Sequence, residues 1–407
     1  MAGEDEVQVV GSCFVTLASD TPSRALRLSP FDLMLASRGY TPLVHFYRRP
    51  ETAGDDFFHV SRLKTALSKD LVPFYPLAGR FRAGIDGRLE IDCNGKGMLF
   101  LVAHSSLTID DFSDFKPSSK QRRLFVPHVD NSHSLLWATQ VTFLKCGGVV
   151  LGSAIHHAAM DGSVVFHFFR TWSAFFRDGN RAMVNLPCHE CSRLSAHDPP
   201  VVPPDALSIF SRKINLSPQP GPVVNECPER PPVAMHVFSP DATTQLMFSA
   251  NVCRIMRPPL PDSYFGNAII NLSVRDKAYA IASRELSYIA RRIRDIHRWV
   301  NDELVHSAID YLEPAKRDDE RPATGNLPVT YRVVSWLGMP SYDADFCWGR
   351  PLAMFCAEPN RGGFVHLIDS AQGDGSVRII MSIEAAILSV FKRLLYAKFN
   401  NMLYSKL

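Results

Sequence analysis

Alternation and helical spacing of apolar residues place several elements along the chain before any chemistry is considered. Two β-prone runs, Trp137 to Lys145 and Val149 to Ile155, are separated by Cys146-Gly147-Gly148, which predicts a tight hairpin. The second run ends at His156-His157. From Ser163 to Arg177, Phe166, Phe169, Trp172 and Phe176 recur at helical spacing, predicting a helix with Ser163 as its N-cap. His157 is therefore expected where a strand gives way to a helix. In the second half, Leu286, Ile289, Ile293, Ile296 and Val300 form the apolar stripe of an amphipathic helix over Ser283 to Val300, with arginines on its other face.

Prolines divide the chain. Pro199-Pro200, Pro203-Pro204 and Pro231-Pro232 forbid regular pairing, because proline lacks the backbone donor and has a fixed φ. The expected organisation is a first domain over 1–186, a proline-rich crossover linker over 187–232 and a second domain over 233–407. No internal repeat is visible.

Composition changes this picture little. The 407 residues are 46% hydrophobic and 21% charged, ordinary for a folded chain that buries a sizeable core. No run has the apolar length of a membrane-spanning helix. Met1-Ala2-Gly3-Glu4-Asp5-Glu6 lacks the layout of a secretory signal, so a cytoplasmic address is expected. Nine scattered cysteines read as free thiols. A formal net charge of +3 is too small to imply a nucleic-acid partner.

The chemistry concentrates in His156-His157-Ala158-Ala159-Met160-Asp161-Gly162. A histidine at a strand end can meet substrate, and an ordinary imidazole pKa of about 6.5 lets it accept a proton at neutral pH. The alanines leave room beside the ring, and Gly162 permits backbone geometry that a side chain forbids. Asp161 could act on substrate, orient the histidine or hold the loop. Cys188-His189-Glu190-Cys191 looks like half of a zinc site but has no matching second pair, so no metal is expected.

A second motif, Asp345-Phe346-Cys347-Trp348-Gly349-Arg350-Pro351, lies far downstream. Together, H-x-x-x-D-G and this segment resemble the paired signature of the BAHD acyltransferases. Further similar blocks are Leu71 to Arg80, Ile91 to Asn94, Phe143 to Gly148, Pro258 to Pro261 and Tyr264-Phe265-Gly266-Asn267. The resemblance implies an α/β protein of two chloramphenicol-acetyltransferase-like domains, each a mixed β-sheet with flanking helices, with a tunnel between them. It implies an acyl-CoA co-substrate, no permanently bound cofactor, and a monomer.

By that resemblance His157 is the general base and the indole N–H of Trp348 stabilises the oxyanion. Asp161, Gly162, Asp345 and Gly349 are implied to be structural, Asp161 through an arginine partner. The nearest likeness is to plant hydroxycinnamoyl-CoA transferases of the putrescine and shikimate or quinate types. The shikimate type carries an arginine in S-W-x-R-x-P to grip the acceptor carboxylate. Here Ser335-Trp336-Leu337-Gly338-Met339-Pro340 has glycine there. An amine acceptor such as putrescine is therefore expected, with Glu358 as its candidate anchor; O-acylation of an alcohol is the alternative.

Three departures from the family pattern bear on activity. Cys347 replaces a glycine of the second motif; Cys253 stands where relatives carry the arginine for Asp161; and Leu246 runs directly into Met247-Phe248-Ser249-Ala250-Asn251, where relatives have a helix and a loop. The last suggests a lost segment after 246 and a catalytically silent member as a further alternative.

Overall fold

The computed structural model describes residues 6–54, 57–112, 114–130, 134–190, 192–202, 241–313, 329–357, 363–382, 388–394 and 397. Glu358, Cys191 and the linker from residue 203 onward lie outside the described residues.

The first half contributes strands β1 (Val7–Val15), β2 (Ala25–Arg27), β3 (Tyr40–Tyr47), β4 (Arg80–Ala83), β5 (Leu89–Asp92), β6 (Met98–Ser105), β7 (Trp137–Leu144) and β8 (Val149–His156). Its helices are α1 (Pro30–Met34), α2 (Val60–Asp70), α3 (Ser119–Phe125) and α4 (Gly162–Asp178). The second half contributes β9 (Thr243–Asn251), β10 (Ile269–Lys277), β11 (Val329–Ser335), β12 (Ala353–Cys356), β13 (Phe364–Asp369) and β14 (Val377–Met381). Helices α5 (Ala278–Ser283), α6 (Leu286–Trp299) and α7 (Asp302–Leu312) accompany them.

Three sheets form among the described residues: a six-stranded one ordered β1-β6-β7-β8-β3-β12, a five-stranded one ordered β10-β9-β11-β13-β14, and a small one ordered β2-β5-β4. Both large sheets are mixed, with β6–β7 and β9–β11–β13 parallel. The hairpin expected from Cys146-Gly147-Gly148 joins β7 to β8, Gly147 adopting a φ of +79° that its missing side chain permits. Nearly every residue of β7 and β8 is buried, as in strands covered on both faces, and their buried polar side chains bond within the sheet, Thr139 with Ser153 at 3.2 Å and Gln140 with Thr142 at 2.9 Å.

Helix α4 buries Phe166, Phe168, Phe169, Trp172 and Phe176 in the first core, Phe168 and Phe169 against Trp137 of β7. At about 1.5–3 kcal/mol for each large apolar side chain, that packing anchors the helix and so the loop at its start. Its N-cap is Asp161 rather than the expected Ser163: the Asp161 carboxylate accepts from the Ser163 and Val164 N–H groups. A carboxylate caps more strongly here because it also faces the positive end of the helix dipole.

Pairing crosses the expected domain boundary. Strand β12, from the second half, forms an antiparallel ladder with β3 at the edge of the first sheet. Arg88 and Glu313 form a further ion pair between the halves. Helix α7 buries Leu304, Val305, Ala308 and Ile309 in a second core with Ile270 and Leu272 of β10.

Two expectations take a different form. Helix α6 is present, yet none of its residues is fully buried, and a cavity of about 620 Å³ lies between it and β10. The junction at Leu246–Met247, where a segment was expected to be missing, falls inside β9, which pairs with β10 in unbroken register from Thr243 to Asn251.

Candidate active site

His157 follows the last residue of β8 and precedes α4, and its backbone is held on both sides. Its N–H donates to the carbonyl of Gly39 at 3.0 Å, and its carbonyl accepts from Asn267 Nδ2 at 2.9 Å. Asn267 is fully buried. Its backbone N–H and its side-chain amide donate to Asp32 Oδ1 at 2.7 and 2.8 Å. Asp32 Oδ2 in turn accepts from the Ser29 N–H and hydroxyl. A relay of Ser29, Asp32 and Asn267 thus fixes the backbone of the loop.

The His157 ring is only half-buried, although Nδ1 is sealed off without a hydrogen-bond partner. Nε2 is therefore the nitrogen that can meet substrate. Desolvation, then the nearby Arg38 charge, lower the imidazole pKa to about 3. The ring thus keeps some accessible area while being strongly desolvated. His156 faces away, as strand alternation demands, and packs edge-on against Tyr40 and Phe81 at 5.0 and 4.6 Å.

Asp161 pairs with no arginine among the described residues. Its second oxygen accepts from the Ala268 N–H at 3.3 Å, and burial raises its pKa to about 6. Cys253 sits within reach of that charge: burial first, then Asp161, push its thiol up to about 12. Arg254, one residue along, points to an exposed pair with Asp262 at 3.3 Å. Backbone N–H groups thus hold Asp161 where an arginine was expected. Gly162 gives close approach and not an unusual φ: a Cβ there would lie 3.3 Å from Trp336 Nε1, a tight contact that the indole would have to relieve by a small shift, and 3.7 Å from Met339 Sδ.

The second motif lies elsewhere. Asp345 Oδ1 accepts from the N–H groups of Trp348 and Gly349, both at 3.0 Å, shaping a loop in which Gly349 has φ +86° and Cys347 φ +72°. Phe346 packs on Trp172 and Phe176 at 5.2 and 5.6 Å, and Arg177 donates to the Asp345 carbonyl, all toward the far end of α4 from His157. Gly162 to Arg177 spans roughly 22 Å at 1.5 Å per residue.

Tyr47 gives a second measure. It pairs with Val149 at the start of β8 and donates to the Ala344 carbonyl, and that strand carries the chain roughly 23 Å to His156. The structure does not bring Trp348 to His157. Its indole N–H is buried without a partner against Phe57, ring centroids 5.4 Å apart.

Several residues of the site were missed from sequence. Asn267 belonged to the Tyr-Phe-Gly-Asn block, its only signal. Asp32 looked like an ordinary helix-start carboxylate. Trp336, from the end of β11, places its indole nitrogen beside Gly162 and its ring 5.4 Å from Phe166. Thr41 Oγ1, on β3 next to the loop, is buried without a partner. Glu358 lies outside the described residues, and these hold no cluster of metal-ligating side chains. No helix of the described residues is long and apolar enough to cross a membrane.

The site thus places a histidine, accessible through Nε2, at the end of a buried strand and at the start of a buried helix. The Transferase family model matches residues 5–219 and 233–397, and the chain belongs to this family, the BAHD acyltransferases. It is 36% identical to putrescine hydroxycinnamoyltransferase 1 of Oryza sativa subsp. japonica, covering 96% of this chain and 98% of that protein. It is 34% identical to shikimate O-hydroxycinnamoyltransferase of Nicotiana tabacum, with 96% and 99% covered. The crystal structure of vinorine synthase superposes with a TM-score of 0.68 at 20% identity, over 94% of this chain and 98% of that one. The fold is thus the two-domain, chloramphenicol-acetyltransferase-like α/β fold.

Proposed function

We propose that this protein transfers a hydroxycinnamoyl-type acyl group from a coenzyme A thioester to an amine or hydroxyl acceptor, with His157 as general base. The observation that carries this reading is the accessible Nε2 on a ring whose backbone is pinned by Gly39 and Asn267. Burial keeps the imidazole neutral at physiological pH, the form that can take a proton. Nε2 removes the proton from the acceptor as its nitrogen or oxygen attacks the thioester carbonyl carbon. The tetrahedral intermediate then collapses, the carbon–sulfur bond breaks, and the same proton passes to the departing thiolate.

The oxyanion needs a donor, and the indole N–H of Trp336 is the one beside the His157 loop. Trp348 is too far along α4 to serve.

The two relatives act on different acceptors by name, putrescine and shikimate. The amine reading, with N-acylation of putrescine and phenolamide formation, rests on Gly338 in place of an arginine and on Glu358, of which only the former lies among the described residues. The silent-member reading is favoured by the half-exposed stripe of α6 and the cavity beneath it.

Thiol release from p-coumaroyl-CoA, measured with putrescine, agmatine, shikimate and quinate in turn, tests the proposal. Release that depends on one acceptor and vanishes in His157→Ala supports it; no release with any acceptor supports the silent member.

A further inference from the structure

Helix α6 rests on β10, the outermost strand of the five-stranded sheet, with its apolar stripe turned partly away from it. The face that meets β10 is fixed by contacts. Arg292 pairs with Asp276 and donates to the Arg275 carbonyl at 2.9 Å, and the Tyr288 hydroxyl lies 3.1 Å from Asp276 Oδ2. Ile296 and Trp299, on the same side, line the cavity together with Val274. At 3.6 residues per turn the rest of the stripe is rotated off this face. Ile289 and Ile293 are half-buried, while Ala290 is exposed and Leu286 is 53% exposed. Next around the helix come Arg294, Arg298 and Arg291, all exposed.

Helix α5 adds to the same corner of the molecule. Tyr279 is 53% exposed and Ile281 38%, and only Arg284-Glu285 separate α5 from Leu286. Large apolar side chains exposed in such close succession mark a surface that meets something other than water. The cations beside them are lightly used. Arg284 lies over the Tyr288 ring at 4.3 Å, Arg294 shares Asp295 in an exposed pair at 3.8 Å, and Arg291 and Arg298 have no carboxylate partner among the described residues. An apolar ridge bordered by a basic strip matches an anionic bilayer, whose acyl boundary takes the ridge and whose phosphates take the arginines. A partner protein or a nucleic acid fits less well. The cavity beneath α6 is lined by Arg275, Arg292 and Asp295 as well as by Val274, Ile296 and Trp299, a slot that suits no apolar helix. A nucleic-acid backbone would leave Tyr279, Ile281 and Leu286 in water.

We propose that α5 and α6 form a membrane-surface anchor by which the protein settles on an anionic phospholipid bilayer. Tyr279, Ile281 and Leu286 enter the boundary between headgroups and acyl chains, and Arg284, Arg291, Arg294 and Arg298 meet the lipid phosphates. The helix lies on the membrane and does not cross it, since its 14 residues are too few to span. Its pairing with β10 through Arg292 is kept, so attachment requires no change in the sheet. Two attractions act together and differ in their response to salt. The arginine share weakens as salt shortens the reach of the bilayer's surface potential, and the apolar share does not. The anchor goes beyond the acyl-transfer reading and does not depend on it.

The test is co-sedimentation of the full chain with vesicles of phosphatidylcholine alone and of phosphatidylcholine mixed with phosphatidylserine, each at low and at high salt. Wild type should partition at least about tenfold more strongly onto the phosphatidylserine vesicles, and high salt should remove most of that excess. Arg291→Gln combined with Arg298→Gln should lower the excess by about tenfold. Tyr279→Ser combined with Leu286→Ser should weaken binding several-fold at either salt, because it removes the inserted ridge. All four positions are exposed, so melting transitions should match wild type, and the salt comparison on wild type stands without any variant. Equal partitioning onto both vesicles, or binding untouched by either pair of substitutions, would overturn the anchor. So would loss of vesicle binding to free glycerophosphoserine at matched ionic strength, which would mean a headgroup pocket, or capture of duplex DNA in place of vesicles. Partitioning is read without turnover, so a failure of acyl transfer and a failure of the anchor are told apart.

Discussion

The side-chain amide of Asn267 donates to the backbone carbonyl of His157 at 2.9 Å, tying a loop of the second half to the histidine loop of the first. Because the same amide also donates to Asp32, the tie is itself anchored on a buried carboxylate. Asn267→Ala removes both side-chain bonds and leaves Asp32 Oδ1 with only the backbone N–H of residue 267 as a donor. The expected result is a fall in kcat of about tenfold or more with the Michaelis constant for acyl-CoA little changed, since the ring is misplaced and not removed. Steady-state kinetics on a variant with a cooperative melt checks this; an unchanged kcat would show that the relay does not position His157.

The charge of Asp161 is felt at the Cys253 thiol, at the position expected to carry an arginine. Burial raises the Asp161 pKa to about 6, above its ordinary value of 3.8. A carboxyl held above its unfolded value favours the fold while protonated and loses that contribution as pH rises from about 3.8 through about 6. Cys253→Arg supplies a counter-charge and should lower this pKa. The gain expected is about 1.5–3 kcal/mol at pH 7, shrinking toward zero near pH 4. Thermal melts across that range measure it; a gain equal at both ends would mean that the arginine acts through packing.

Cys347 holds a φ of +72°, a conformation that suits glycine. Cys347→Gly should stabilise the protein by about 1 kcal/mol by relieving the clash of Cβ with the backbone. Because the loop lies roughly 20 Å from His157 along α4, kcat should not change. Denaturant melts and one kinetic run suffice.

Trp336 and Trp348 should separate cleanly. Trp336→Phe removes the indole N–H beside the His157 loop and should lower kcat by about 10²-fold, the size of a lost oxyanion donor. Trp348→Phe removes only a buried, unpartnered donor and should leave kcat within a factor of a few. The opposite order of effects would restore Trp348 as the oxyanion donor.

The sequence carried the local part of this site well. The hairpin followed from two β-prone runs around Cys146-Gly147-Gly148, and the helix from the spacing of Phe166, Phe169, Trp172 and Phe176, so His157 fell where expected. Asp161 as the cap was not legible, because Ser163 offered an equally good capping hydroxyl two residues later. The separation of His157 from Trp348 was hidden for a different reason. It is set by the length of α4 and by β12 joining β3, a pairing of residues about 310 apart in the chain that leaves no periodic trace. Asn267 was visible as part of a block, but nothing in its neighbours announced Asp32 as its partner.

The most direct test of the account is the rate of thiol release from p-coumaroyl-CoA by His157→Ala and by wild type, at saturating acceptor and with matched melting curves. Loss of a positioned general base predicts a fall in kcat of about 10²–10⁴-fold with the acyl-CoA still bound. Turnover that survives the substitution within a factor of a few would contradict His157 as the base.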